Sequence, residues 1–248
     1  MRSGGSSPRP ARSPSASETA RLLADAGCDT PRLDAELLRT QAEVERRVAR
    51  EPVAYILGTK GFRWIELAVD RRVLIPRPDT ETLVEVALGL AASGARVHDV
   101  GTGSGAVALA LKHERPDLVV SGSDASSDAV VVARANAARL GLDVAFSVAD
   151  GLPEGSFDLI VANLPYVREH EWDGLQPEIR LYEPREALVS GPDGLDAIRS
   201  LVASAPPGVL LALEHAPDQG EAVRALLRDA RTERDLGSRE RVTVGWAG

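Results

Sequence analysis

The stretch His98–Leu111, "HDVGTGSGAVALAL", decides the fold. An apolar strand, "ARVHDV" at 95–100, runs into Gly101, Gly103 and Gly105, and a helical run of Ala, Val and Leu begins at once. Glycines at a strand-to-helix turn accept positive φ and let the backbone come close to a ligand. Open α/β sheets bind ligands at such turns, along the carboxyl edge of their parallel strands.

The same alternation extends to both sides. Upstream, "DTETLVEVALGLAAS" reads as a helix with Asp79 or Thr80 as its cap. Downstream, "DLVVSGSD" is a second strand, "SSDAVVVARANAARLG" a helix with Gly141 past its end, "DVAFSVAD" a third strand and "FDLIVANLP" a fourth. After the irregular "YEPREALVSGPDG" come a helix "LDAIRSLVASA", a strand "GVLLALEH", a helix "QGEAVRALLRDA" and a last strand "RVTVGWA". Strict alternation of this kind predicts an α/β fold with a doubly wound, mainly parallel sheet and helices on both faces. The charged "TQAEVERRVARE" and "RDARTERD" read as solvated helix faces.

The N-terminal part is different. Residues 1–17, rich in Gly, Ser, Pro and Arg, read as a disordered tail. Residues 18–50 carry helical spacing in short pieces and form a small helical region. Residues 51–78, with apolar and polar residues alternating around Gly58 and Gly61, read as a linking β-hairpin, its core made by Tyr55, Phe62 and Trp64. The α/β domain then occupies 79–248.

Composition narrows the function classes. The chain has 248 residues, 44% of them hydrophobic, and its 29 Lys and Arg against 37 Asp and Glu leave a net charge of −8. That balance offers no general attraction to nucleic acid or to an anionic membrane. The single cysteine, Cys28, excludes an intramolecular disulfide and a cysteine-based zinc site. His98, inside an apolar strand, reads as a core residue, and His113, His170 and His215 share no ligand spacing, so no metal is expected. No run approaches a membrane span and the N-terminus lacks the apolar core of a signal peptide, so a cytoplasmic protein is expected.

The glycine loop, Gly101-Thr102-Gly103-Ser104-Gly105, lacks the third glycine of the dinucleotide pattern G-x-G-x-x-G. Asp99, two residues before Gly101, repels phosphate and suits an ammonium group held indirectly. Asp124 ends the second strand, 19 residues after Gly105, where a carboxylate accepts both ribose hydroxyls of a nucleoside. Asp150 ends the third strand, where an adenine ring would lie. The missing glycine and Asp99 favour S-adenosylmethionine over a nicotinamide cofactor.

Asn163 ends the fourth strand at the same edge. Its side-chain carbonyl and the Leu164 backbone carbonyl offer two acceptors to a planar amino group, Pro165 biases Leu164 toward an extended backbone, and Tyr166 offers a flat surface for stacking. An amide nitrogen is a poor nucleophile because its lone pair is delocalised, so orienting both hydrogens toward acceptors lowers the barrier to methylation.

Together, the Asn-x-Pro-Tyr segment, the glycine loop, "EPVAYILGTKGF", "VLIPRPDTETLVE" and "LEHAPDQGEAV" resemble the release factor glutamine methyltransferases, the PrmC/HemK group. The resemblance covers Glu51 to about Val244. It implies a seven-stranded sheet of the Rossmann-like class I methyltransferase kind. It also implies methyl transfer from S-adenosylmethionine to the glutamine amide in the Gly-Gly-Gln motif of peptide chain release factors. It carries over Gly101 to Gly105 and Asp124 as cofactor contacts, with Gly151 beside Asp150 at the adenine, and Asn163 to Tyr166 as the amide site. Glu183, Pro184, Arg185 and the "GPDGL" loop at Gly191 match a segment near the acceptor pocket. Arg77, between two prolines, either lines that pocket or fixes the domain junction.

Three departures from the family stand out. Leu164 replaces the first proline of Asn-Pro-Pro-Tyr, Gly151 stands where a bulky residue is frequent, and the helical region before Glu51, associated with docking of the protein substrate, is short. Competing readings are amino methylation of adenine in nucleic acid, which uses the same Asn-x-Pro-Tyr logic, and a non-catalytic methyltransferase-fold binding module. A nicotinamide dehydrogenase leaves Asn163 to Tyr166 unexplained.

Overall fold

The computed structural model describes residues 15–248, and the chain divides into two compact units that meet in sequence at Leu57 and Gly58. Most of the expected tail lies outside the described residues. Its end does not behave as a tail: helix α1 (Ala16–Asp25) starts on a capping box in which Ser15 and Glu18 satisfy each other's backbone N–H. Three further helices follow among the described residues of the first unit: α2 (Pro31–Leu37), α3 (Gln41–Val48), which has its own capping box at Thr40, and α4 (Val53–Leu57). Thus 53–57, read as the start of a hairpin, is helical, and Tyr55 is a buried helix residue.

This unit has a small core of Leu23, Cys28, Ala35, Leu38, Val44 and Ile56. Beside it the Arg47 guanidinium pairs with Asp34 at 2.7 Å, both side chains being more than nine-tenths buried. Removing one member of such a pair leaves a desolvated charge behind. Asp34→Ala is therefore expected to destabilise the helical unit by about 3 kcal/mol in chemical denaturation.

The second unit opens with a hairpin, β1 (Thr59–Phe62) and β2 (Ile65–Ala68), turned by Arg63 and Trp64. Phe62 is core, but Trp64 at the turn is 76% exposed and does not join it. A 3-10 turn at Pro78–Thr80 leads into α5 (Glu81–Leu90). Thr80 does not cap that helix with its side chain. The alternation then runs β3 (Arg96–Val100), α6 (Ala106–Glu114), β4 (Val119–Asp124), α7 (Ser127–Leu140), β5 (Ala145–Val148) and β6 (Leu159–Ala162). It continues with α8 (Pro177–Tyr182), α9 (Asp196–Ser204), β7 (Leu210–Glu214), α10 (Gly220–Arg224), β8 (Arg228–Arg234) and β9 (Glu240–Trp246).

The sheet has seven strands in the order β5-β4-β3-β6-β7-β9-β8, the first five parallel and β9 antiparallel to both neighbours. The seventh strand corrects the reading of "RDARTERD" as a helix face: α10 stops at Arg224 and β8 begins at Arg228. As an edge strand, β8 tolerates charge on most of its length, which deters edge-to-edge pairing, so its polar sequence hid a strand. β6 is buried at all four positions, as a central parallel strand requires.

His98 sits in β3 at 2% exposure, bonded at Nδ1 to Ser121 (2.8 Å) and at Nε2 to Ser123 (2.9 Å), and stacked on Phe157. Burial lowers its pKa from 6.5 to about 4. The unfolded chain binds a proton there below about 6.5 while the folded chain does not, so stability present above that pH is lost as pH falls toward 4. His98→Gln is expected to flatten this part of the acid limb in thermal melts across that range. Among the described residues no helix is long and apolar enough to cross a membrane.

Candidate active site

After β3 the chain builds β4 and β5 on one side, then crosses to β6 on the other side of β3. That reversal opens a crevice at the carboxyl ends of β3 and β6, where Gly101 and Asn163 emerge. Gly101 and Gly103 take φ of 71° and 55°, values glycine reaches without a Cβ penalty. The loop is pinned from two elements, β4 and α7. Thr102 N donates to Ser123 O (2.9 Å) and Gly103 N to Asp124 Oδ2 (2.9 Å). The wholly buried Asn136 of α7 donates to Ser104 O (2.9 Å) and Ala68 O (3.0 Å), tying loop and hairpin together.

Two adjoining cavities occupy the crevice. The larger, about 300 Å³, is bordered by Gly101, Gly103, Asp124, Asp150, Gly151 and Pro165, among others. The smaller, about 50 Å³, is bordered by Arg77, Thr80, Asp99, Thr102 and Ser104. Asn163 borders both. Asp124 is half-buried; its Oδ1 accepts from Ser126 N and its Oδ2 from Gly103 N, each at 2.9 Å. Each oxygen keeps a second lone pair for a ligand hydroxyl.

Asp99 is 1% exposed, and its Oδ2 accepts from the Thr102 hydroxyl (2.6 Å) and Ala108 N (3.3 Å). Burial pushes its carboxyl up to about 7 in spite of those bonds. A buried acid at the wall of a small cavity suits a cationic ligand group, whose charge would favour the ionised form. Asp99 and Asp124 would each face a charged or hydroxyl-bearing end of S-adenosylmethionine, its ammonium and its ribose, with the positive-φ glycines leaving room between them. The residues present fit this cofactor.

Gly105 departs from the expected role. It borders neither cavity; with φ of 83° it caps α6, and a Cβ there would come within 2.9 Å of Leu109 and 3.2 Å of Phe146. It is a packing glycine. Gly151, at φ 84°, faces open space at the larger cavity.

On the acceptor side, Asn163 Nδ2 donates to Thr80 Oγ1 at 2.9 Å. Asn163 Oδ1 and the Leu164 carbonyl accept no hydrogen bond from the described residues. The Leu164 side chain lies over Gly101, where a Cβ would come within 2.9 Å of Leu164 Cδ2.

Tyr166 borders neither cavity, so the expected stacking surface is turned inward. Its hydroxyl donates to Glu214 Oε1 (3.3 Å), and burial together with that carboxyl holds the phenol above its ordinary pKa. Its backbone carbonyl accepts from Gln219 Nε2 (3.0 Å), which also donates to Asp193 O (3.1 Å). Gly194 is required there, since a Cβ would sit 2.1 Å from Tyr166 O. Arg77 borders the smaller cavity and pairs with Glu183 at 2.5 Å, while Glu183 also accepts from Ile75 N (3.1 Å) and borders neither cavity. Pro184 borders the larger one, and Arg185 lies over the Trp172 ring instead.

Thr80, Glu214 and Gln219 are the residues that sequence reasoning missed. The signal for Glu214 was an acid closing a parallel strand at the same edge as Asp124.

A family model described as the methyltransferase small domain matches residues 79–187. A release factor glutamine methyltransferase of Caulobacter vibrioides is 40% identical to this chain, over 90% of it and 92% of that protein. Another from Xylella fastidiosa is 46% identical over 88% of this chain and 84% of its own. A solved methyltransferase from Pyrococcus furiosus superposes with a TM-score of 0.52 at 15% identity, covering 84% of this chain and 98% of that one, a likeness of fold alone.

Proposed function

Because the chain belongs to the release factor glutamine methyltransferase family, we propose that it methylates the side-chain amide of the glutamine in the Gly-Gly-Gln motif of a peptide chain release factor, met in the cytoplasm. The methyl donor is S-adenosylmethionine, which supplies a methyl activated on a sulfonium.

One observation carries the reading. Asn163 Oδ1 and the Leu164 carbonyl are two acceptors with no donor among the described residues, on a segment that borders both cavities. A primary amide nitrogen presents two N–H groups in one plane and matches such a pair. Holding both hydrogens in place orients the nitrogen before reaction, a cost that solution chemistry meets at each encounter. Asp124 and Asp99 hold the cofactor on the other side, and Leu164, seated on Gly101, joins the two halves of the site. Leucine in place of proline leaves the carbonyl available.

Adenine methylation asks the same of Asn163, but the chain's net charge of −8 gives no electrostatic footing for nucleic acid. Incubation with labelled S-adenosylmethionine, release factor and duplex or single-stranded DNA separates the two. Label is expected in the release factor, and label in DNA alone contradicts the proposal.

A further inference from the structure

Between β2 and α5 the strap at 74–77, "LIPR", joins no strand. Pro76 has no N–H to give, and Ile75 N is the one backbone donor of this strap that finds an acceptor among the described residues. That acceptor is Glu183 Oε2, at 3.1 Å. The other carboxylate oxygen, Oε1, takes Nη2 of Arg77 at 2.5 Å. Glu183 ends α8 with its own N–H bonded to Ile179 O (3.0 Å), and Pro184 after it keeps its backbone extended. With 2% of its side chain exposed, Glu183 holds the strap at two points while bordering neither cavity.

Arg77 is therefore held by a group outside the cavities. Its Nε and Nη1 donate to no described residue, and it borders the smaller cavity together with Asp99. An acid and a guanidinium on one small cavity match the two charges of an α-amino acid.

We infer that Arg77 binds the carboxylate of the cofactor's amino-acid end, and that Glu183 is the positioning residue that holds Arg77 there. The inference rests on S-adenosylmethionine lying with its ammonium at Asp99, and it is independent of which acceptor is methylated.

The charges decide which ligand Arg77 serves. A glutamine amide is neutral and needs acceptors for its N–H groups, whereas a guanidinium only donates. The carboxylate is the one anionic group of S-adenosylmethionine, so it is the partner for which this cation is suited. An exposed arginine loses rotamer freedom when it binds, and here the ion pair has already removed much of that freedom on folding. Glutamine at 183 would carry one acceptor oxygen in place of two. Ile75 N and Arg77 Nη2, now met by different oxygens, could then no longer both be met as they are.

The test is titration calorimetry on the full chain with S-adenosylmethionine and with decarboxylated S-adenosylmethionine, which keeps the sulfonium, ribose and ammonium. The parent is expected to bind the decarboxylated compound about tenfold or more weakly than S-adenosylmethionine. Glu183→Gln is expected to weaken S-adenosylmethionine about fivefold and to leave the decarboxylated compound within about twofold of its affinity for the parent. Added to Arg77→Met, Glu183→Gln is expected to cost little further, because both act through one guanidinium. A parent that binds the two compounds equally overturns the inference and leaves the cofactor and acceptor readings standing. Equal weakening of both compounds by Glu183→Gln makes Glu183 a general prop of the wall and overturns its positioning role. A parent that binds neither compound overturns the cofactor site together with the inference.

Discussion

Asn163→Ala is expected to slow methyl transfer by about 10²- to 10³-fold, the scale of removing one preorganised hydrogen-bonding group aimed at a reacting atom. The substitution deletes Oδ1, the side-chain half of the acceptor pair, and leaves the Leu164 carbonyl to hold the amide by one hydrogen. The nitrogen can then rotate, and the geometry that aims its electron density at the methyl carbon is lost. The effect belongs in the chemical step. Cofactor affinity is expected to change by only a few-fold, since Asp124, Asp99 and the glycine loop remain in place. Stopped single-turnover reactions with calorimetry on the same preparation check both halves. An unchanged transfer rate removes Asn163 from the clamp.

Asp124→Ala carries the second large effect, on binding. The carboxylate accepts from Gly103 N and Ser126 N, and its remaining lone pairs are the ones proposed to meet the ribose. Alanine leaves those backbone donors without their acceptor as well as removing the ligand's partner. Loss of charge-assisted hydrogen bonds at a site of this kind is expected to weaken S-adenosylmethionine about 100-fold. Titration calorimetry reads the change directly. Parent-like affinity would take Asp124 out of the cofactor site. Transfer measured at saturating cofactor should recover most of the parent's rate, which separates this variant from Asn163→Ala.

The central part of the molecule was legible in the sequence because its signals are local. A glycine loop between a strand and a helix, acids closing the next strands and a fully apolar β6 ending at Asn163 each follow from short-range chemistry, and the parallel topology puts them on one edge. What was illegible depends on partners distant in sequence. Gly105 reads like its neighbours Gly101 and Gly103, yet it packs on Leu109 and Phe146 rather than facing the cavity. Thr80 reads as a helix cap, and only the tertiary fold brings it to Asn163, 83 residues away. Tyr166 reads as a stacking surface, but the buried carboxyl of Glu214 draws its hydroxyl inward. β8 reads as helix because charge spread along a short edge strand has no clear period. Arg77 and Glu183, both expected at the acceptor, turn out to be each other's partner, with Arg77 alone at the cavity wall.

The site between the two cavities is proposed to clamp a glutamine amide. Its most direct test is transfer of labelled methyl from S-adenosylmethionine to a release factor and, side by side, to the same factor with the Gly-Gly-Gln glutamine replaced by glutamate. Label is expected on the first, located at the amide nitrogen of that glutamine, and none on the second. Equal labelling of both proteins would contradict it.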